Sequence, residues 1–224
     1  MIFIRGARCD RRVEESVRMV DMQVVALPKL VPVTLSDYSG EKFSDAAYLA
    51  FCRANPNLRL ERTAEGEILI VPPAGSESSY RNAKVTIQLG RWGEQDGRGI
   101  VFDSSAQFVL SDGSALSPDA AWVSNASLRN VPREKRKEFL HLCPEFVVEV
   151  MSPSDRLKQA KAKMEQWIAN GAHLAWLIDG DAQTVYVYRK GHPVKTHRGI
   201  NKLGGEGPVE GFVLQLATIW KGLA

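Results

Sequence analysis

Two acidic residues stand in segments whose other positions are apolar and strand-like: Asp119 in SPDAAWV (117–123) and Glu149 in PEFVVEVMSPSD (144–155). An ionised carboxylate in an apolar strand is costly unless it is paired, hydrogen-bonded or bound to a cation. If the two strands are neighbours, their acids make an oxygen-rich seat for a divalent metal. A metal held between carboxylates is a means of hydrolysing phosphodiesters.

The elements that must position these acids follow from pattern and punctuation. SDAAYLAFCRANP (44–56) reads as a short helix with Ser44 as its cap and a stop at Asn55-Pro56. LRLERTAEGEILIVPP (58–73) reads as a hairpin turning at Glu65-Gly66. SESSYRNAKVTIQLGRWGEQ (76–95) is predicted to be a longer helix opened by a capping serine, with Tyr80, Val85, Ile87, Leu89 and Trp92 over its turns and Gly97 beyond its end.

Strands are predicted at GIVFDS (99–104), AQFVL (106–110) and ALSPDAAWVS (115–124), the last containing Asp119. EFVVEVM (145–151) is rich in β-branched residues and reads as a buried strand. A helix over 155–170 follows, with Leu157, Ala160, Met164, Trp167 and Ile168 as one apolar stripe. HLAWLID (173–179) and TVYVYR (184–189) add two more strands, and the tail ends in FVLQLATIW (212–220). Strands alternating with two good helices predict an α/β or α+β sheet with helices packed against it.

A chain of 224 residues, 44% hydrophobic, holds one sizeable core. Residues 1–35 lack a clear period and read as a loosely attached arm, leaving 36–224 as a single domain. A net charge of +3 does not announce a nucleic-acid binder, although a local basic cleft is compatible with it. Three widely spaced cysteines argue for reduced thiols, and no segment reads as a secretory signal or membrane span, so the expected location is the cytoplasm.

SPDAAWV, PEFVVEVMSPSD, the helix KMEQWIANGA, the strand LAWLID and the closing GFVLQLATIW together resemble the Uma family of restriction-endonuclease-like proteins, in the PD-(D/E)XK nuclease superfamily. The resemblance covers roughly 43–220 and leaves the arm outside. It implies a restriction-endonuclease-like domain, a central mixed sheet that carries the acids and is flanked by helices, with Mg²⁺ or Mn²⁺ between Asp119 and Glu149, aided by the main-chain carbonyl of Val150. It also implies nucleic acid as partner, most naturally DNA, and cleavage of both strands would call for a homodimer. Glu77 matches the acid that such proteins carry on the first core helix. The plain alternative is a first-turn glutamate that only favours its helix.

In the simplest form of the motif a lysine stands two residues after the second acid, and here that residue is Met151. Lys163, on the following helix, matches the lysine of this family, and its long stem can reach back toward the acids. Lys161 and Lys158 flank it as solubilising alternatives. Gln88, three turns beyond Glu77, is a weaker candidate on the same side of its helix. Ser152 and Ser154 read as helix-capping residues, the five tryptophans as core, and REKRK (133–137) as a solvated charge run. The loss of the motif lysine leaves a competing function open, a catalytically inert DNA-binding or interaction scaffold; a second alternative is a different metal-dependent hydrolase built on the same acids.

Overall fold

Side chains on a strand point alternately to opposite faces, and EFVVEVM carries that alternation through the centre of the molecule. The computed structural model describes residues 33–35 and 43–223. In chain order its strands are β1 (Val33–Leu35), β2 (Leu60–Arg62), β3 (Ile68–Ile70), β4 (Gly99–Asp103), β5 (Phe108–Val109), β6 (Ala115–Leu116) and β7 (Ala120–Ser124). They continue as β8 (Phe146–Val150), β9 (Leu174–Asp179), β10 (Thr184–Arg189), β11 (His192–Arg198), β12 (Lys202–Gly204) and β13 (Val213–Gln215). The α-helices are α1 (Asp45–Ala54), α2 (Ser76–Asp96), α3 (Asn125–Arg129), α4 (Leu157–Ala169) and α5 (Ala217–Trp220).

Six strands form the central sheet in the order β11-β10-β9-β8-β7-β4. Its pairs are antiparallel except β8 with β9, which run parallel and are joined through α4. Phe146, Val148 and Val150 face a core built with Val85 and Leu89 of α2 and with Phe212, Leu214 and Ile219 of the C-terminal segment. Val147 faces the other way, toward Met164 and Trp167 of α4, and so does Glu149. The mixed α+β architecture read from the sequence is the one observed. A second sheet, in the order β1-β3-β2-β6-β5, packs under α1 through Tyr48, Leu60 and Ile68.

Several local readings change. The stretch 115–124 is not one strand: β6 belongs to the second sheet and β7 to the central one. Between them Pro118 has no N–H to give to a ladder, and Asp119 lies at the break. Ser76 is the first residue of α2; its cap position is Gly75, with no side-chain bond. Ile87 is 49% exposed, outside the core stripe assigned to it. Neither Ser152 nor Ser154 caps α4, whose cap position is Arg156. The tail divides into β13 and α5, and β11 and β12 arise where no strand was expected. Val33–Leu35, placed in the arm by the sequence, pairs with β3; the rest of the arm lies outside the described residues. Cys52 and Cys143 are free thiols, and Cys9 also lies outside. Among the described residues no helix is long and apolar enough to cross a membrane.

Candidate active site

The pairing of β7 with β8 sets Ala120 opposite Val148. Continued by one residue, that register sets Asp119 opposite Glu149, and opposed residues of an antiparallel pair share a face. The two carboxylates that stand 30 positions apart in sequence therefore meet at one end of the central sheet. Each is held by donors from other elements. Asp119 Oδ2 accepts the Val150 N–H at 2.8 Å, and its Oδ1 accepts the side-chain amide of Asn82 on α2 at 2.8 Å. Glu149 Oε1 accepts the indole N–H of Trp167 at 3.0 Å.

Lys163 and Trp167 are one turn apart on α4, so both reach the same side of the helix. Lys163 Nζ lies 3.0 Å from Glu149 Oε1 and 3.3 Å from Glu61 Oε1, and donates to the Ser117 carbonyl at 3.2 Å. Glu61 Oε1 also accepts the Ser117 N–H at 3.0 Å. Two carboxylates and a main-chain carbonyl thus converge on one ammonium, and the groups are largely withdrawn from water: side-chain exposure is 13% for Glu149, 9% for Glu61 and 28% for Lys163.

Burial dominates the electrostatics. It pushes the Asp119 carboxyl above the usual carboxylate range, against the pull of the Val150 N–H and the Lys163 charge. Burial likewise raises Glu149 to about 7; Lys163 opposes the rise, while the Asp119 and Glu61 carboxylates add to it. For Lys163, burial alone would depress the ammonium, but Glu149 and Glu61 outweigh it and hold the lysine above its ordinary value. The cluster carries more negative charge than one lysine balances. Protons or a cation must supply the difference.

The donor chemistry distinguishes among cations. Among the described residues no group of three or more His, Cys, Asp or Glu side chains is arranged to hold a metal. A structural zinc site, with four side-chain ligands, does not fit. Two carboxylates with unused lone pairs fit an ion such as Mg²⁺, which takes one or two carboxylates and keeps several waters. Among the described residues Glu149 Oε2 has no hydrogen-bond partner, and Glu149 lines a cleft of about 460 Å³. A ligand there would find a carboxylate oxygen free to bind.

The structure distributes the remaining sequence candidates as follows. Glu77 does not join the acids: it pairs with Arg81 at 2.7 Å, which in turn holds Asp181 at 2.8 Å. The position of α2 that reaches Asp119 is Asn82, five residues later and about 140° around the helix. Gln88 shares the Glu77 side and is bonded to the main chain of Gln215, pinning β13 to α2. Lys161 lies over the Tyr186 ring at 4.3 Å, Lys158 is exposed, and the residues of REKRK are all exposed. Val150 reaches the site through its N–H, the donor to Asp119.

Glu61 and Asn82 went unread in the sequence. In LRLERT, alternation assigns Glu61 to solvent, as on a strand with one wet face. Both faces of β2 are covered instead, and Leu60, Glu61 and Arg62 are all buried. The burial cost that marks Asp119 and Glu149 applies to Glu61 only once the covering of both faces of β2 is known.

Among curated proteins no sequence matches the chain. The fold is similar to that of a solved structure from Anabaena variabilis ATCC 29413, described as "a putative nuclease belonging to DUF820". The TM-score is 0.63 at 19% identity, covering 74% of this chain and 91% of that one. The family model Uma2, described as "Putative restriction endonuclease", matches residues 45–217, a span that holds Glu61, Asn82, Asp119, Glu149 and Lys163. This chain belongs to the Uma2 family.

Proposed function

We propose that this protein is a divalent-metal-dependent endonuclease that hydrolyses DNA phosphodiester bonds, working in the cytoplasm with Mg²⁺ or Mn²⁺. The observation that carries the reading is the convergence of Asp119, Glu149 and Lys163 at the end of β7 and β8, inside the span matched by a nuclease family. Asp119, Glu149 and the Val150 carbonyl would hold the cation. When bound, it polarises the phosphoryl oxygens and lowers the pKa of a water to make a nucleophile.

The chain's own residues do the positioning. Asn82 and the Val150 N–H fix the Asp119 carboxylate, and Trp167 fixes Glu149, so neither acid need reorganise on binding. Lys163, anchored by Glu61 and the Ser117 carbonyl, presents an ammonium beside Glu149 where it can orient the attacking water and offset charge on the phosphate. Glu77 is left outside this scheme because its partner is Arg81. Met151 no longer favours the inert scaffold, since an ammonium stands near Glu149 by another route. A homodimer is required only where both strands of a duplex are cut in one event.

Thermal unfolding separates the readings. With Mg²⁺ at a hundred times its dissociation constant, the wild type gains about 2.7 kcal/mol, and Asp119→Ala loses that gain. A scaffold would instead show DNA affinity that falls with salt yet ignores both the metal and the Asp119 substitution.

A further inference from the structure

The cleft that Glu61, Glu149 and Lys163 line is also lined by aliphatic side chains. In the β2–β3 hairpin, Glu61 is paired with Leu69, so Leu69 shares its face, and Val71 follows two residues on. Ala160 of α4 also lines the cleft, Leu177 pairs in register with Glu149, and Met151 stands two residues beyond Glu149 on the same face. Met151 occupies the place where the simplest form of the motif has a lysine. Asp155, Arg156 and Gln159, at the entry to α4, supply the cleft's remaining polar side chains.

Resting on the nuclease reading above, we infer that this cleft is a subsite for one unpaired nucleotide, and that the enzyme's substrate is a single-stranded or locally unpaired nucleic acid. A duplex offers a protein its phosphates and sugars, which are met by cations and N–H groups. An aliphatic wall beside the reacting phosphate has nothing to contact on an outer backbone. An unpaired nucleotide presents a phosphate and, next to it, a base face freed from its stack. Its phosphate would meet the cation and Arg156, and its base would lie along Leu69, Val71 and Met151. At about 460 Å³ the space is that of a small-molecule pocket. Aliphatic contact is indifferent to base identity, which predicts weak sequence preference. Cutting one unpaired strand takes one active site, so a monomer suffices.

Two readouts test this. An oligonucleotide is incubated with the protein and Mn²⁺ either alone or annealed to its complement, and binding of the same two forms is followed by fluorescence anisotropy with Ca²⁺ in place of Mn²⁺. The expected result is cleavage of the unpaired form at least tenfold faster, Ca²⁺-dependent binding with the same preference, and a narrowed ratio in both Leu69→Ser and Met151→Ser, with folding checked by circular dichroism. Equal or faster cleavage of the duplex would overturn this inference and leave the nuclease reading intact. Absence of cleavage with preferential binding of the unpaired strand, weakened in the two variants, would keep the subsite and remove the nuclease. A ratio unchanged by both variants would remove the apolar wall from recognition, and absence of both cleavage and binding would overturn both readings.

Discussion

The fold resists the ionisation of Glu149, raising its pKa to about 7, and this has a thermodynamic consequence. Between about pH 4.5, its ordinary value, and pH 7 the unfolded chain has released the proton that the folded protein retains. Stability of the metal-free protein must then fall as pH rises through that window. Asp119, also raised, adds in the same direction. The lowered carboxyls of Asp103, Asp112 and Glu145 act below the window, where their stabilisation is lost as pH falls. Urea unfolding with a chelator at pH 5 and pH 8 measures the slope: the midpoint should be lower at pH 8, and Glu149→Gln should flatten the difference. A midpoint that rises across this range would show that the pair is not held protonated. Lys163 belongs to the same balance. Lys163→Met leaves the acids without their ammonium, so it should cost about 3 kcal/mol at pH 8 and clearly less at pH 5, where protons replace the lost charge. An equal cost at both pH values would mean that packing alone is affected.

At the scale of the element, the clasp made by Arg81 ties α2 to the turn between β9 and β10. Its guanidinium is buried and held from two sides by Glu77 and Asp181. A Cβ on Gly180 would stand 2.5 Å from Arg81 Nη1, an approach no side chain tolerates. Because the guanidinium is pinned, Gly180→Ala should destabilise by about 1–3 kcal/mol, read as a lower urea midpoint; an unchanged midpoint would show that the clasp yields. The same clasp accounts for Glu77 standing with Arg81 and not beside Asp119 and Glu149. A first-turn glutamate looks alike in sequence whether it serves a metal or a neighbouring arginine one turn on. Elements with one clear period were legible: α1 with its Ser44 cap, α4 with its stripe, and β8 to β10. Those that depend on neighbours were not. β11 is the charged edge strand HPVKTHR, exposed along most of its length, whose pairing with β10 leaves no apolar alternation to read. Whether 115–124 belongs to one sheet or two is likewise decided by pairing, although Pro118 marks the break.

For the whole molecule, the placement of Asp119 and Glu149 followed from a cost argument on single residues, but their meeting depends on strand order and register, which the chain encodes only through long-range pairing. Lys163 came from resemblance and is brought to the acids by the packing of α4 on the central sheet. The third acid, Glu61, arrives from a different sheet altogether, so its presence rests on how the two sheets come together. The molecule thereby assembles one charged cluster from β2, β8, α4 and the Pro118 break, beside apolar side chains that line the same cleft. The most direct test of its purpose is cleavage of plasmid and single-stranded DNA by the purified protein in Mg²⁺ or Mn²⁺, run beside Asp119→Ala and Lys163→Ala. The account predicts metal-dependent cleavage that falls at least a hundredfold in each variant, about 2.7 kcal/mol of transition-state stabilisation. Cleavage that persists unchanged in both variants, or no cleavage with either metal, would contradict it.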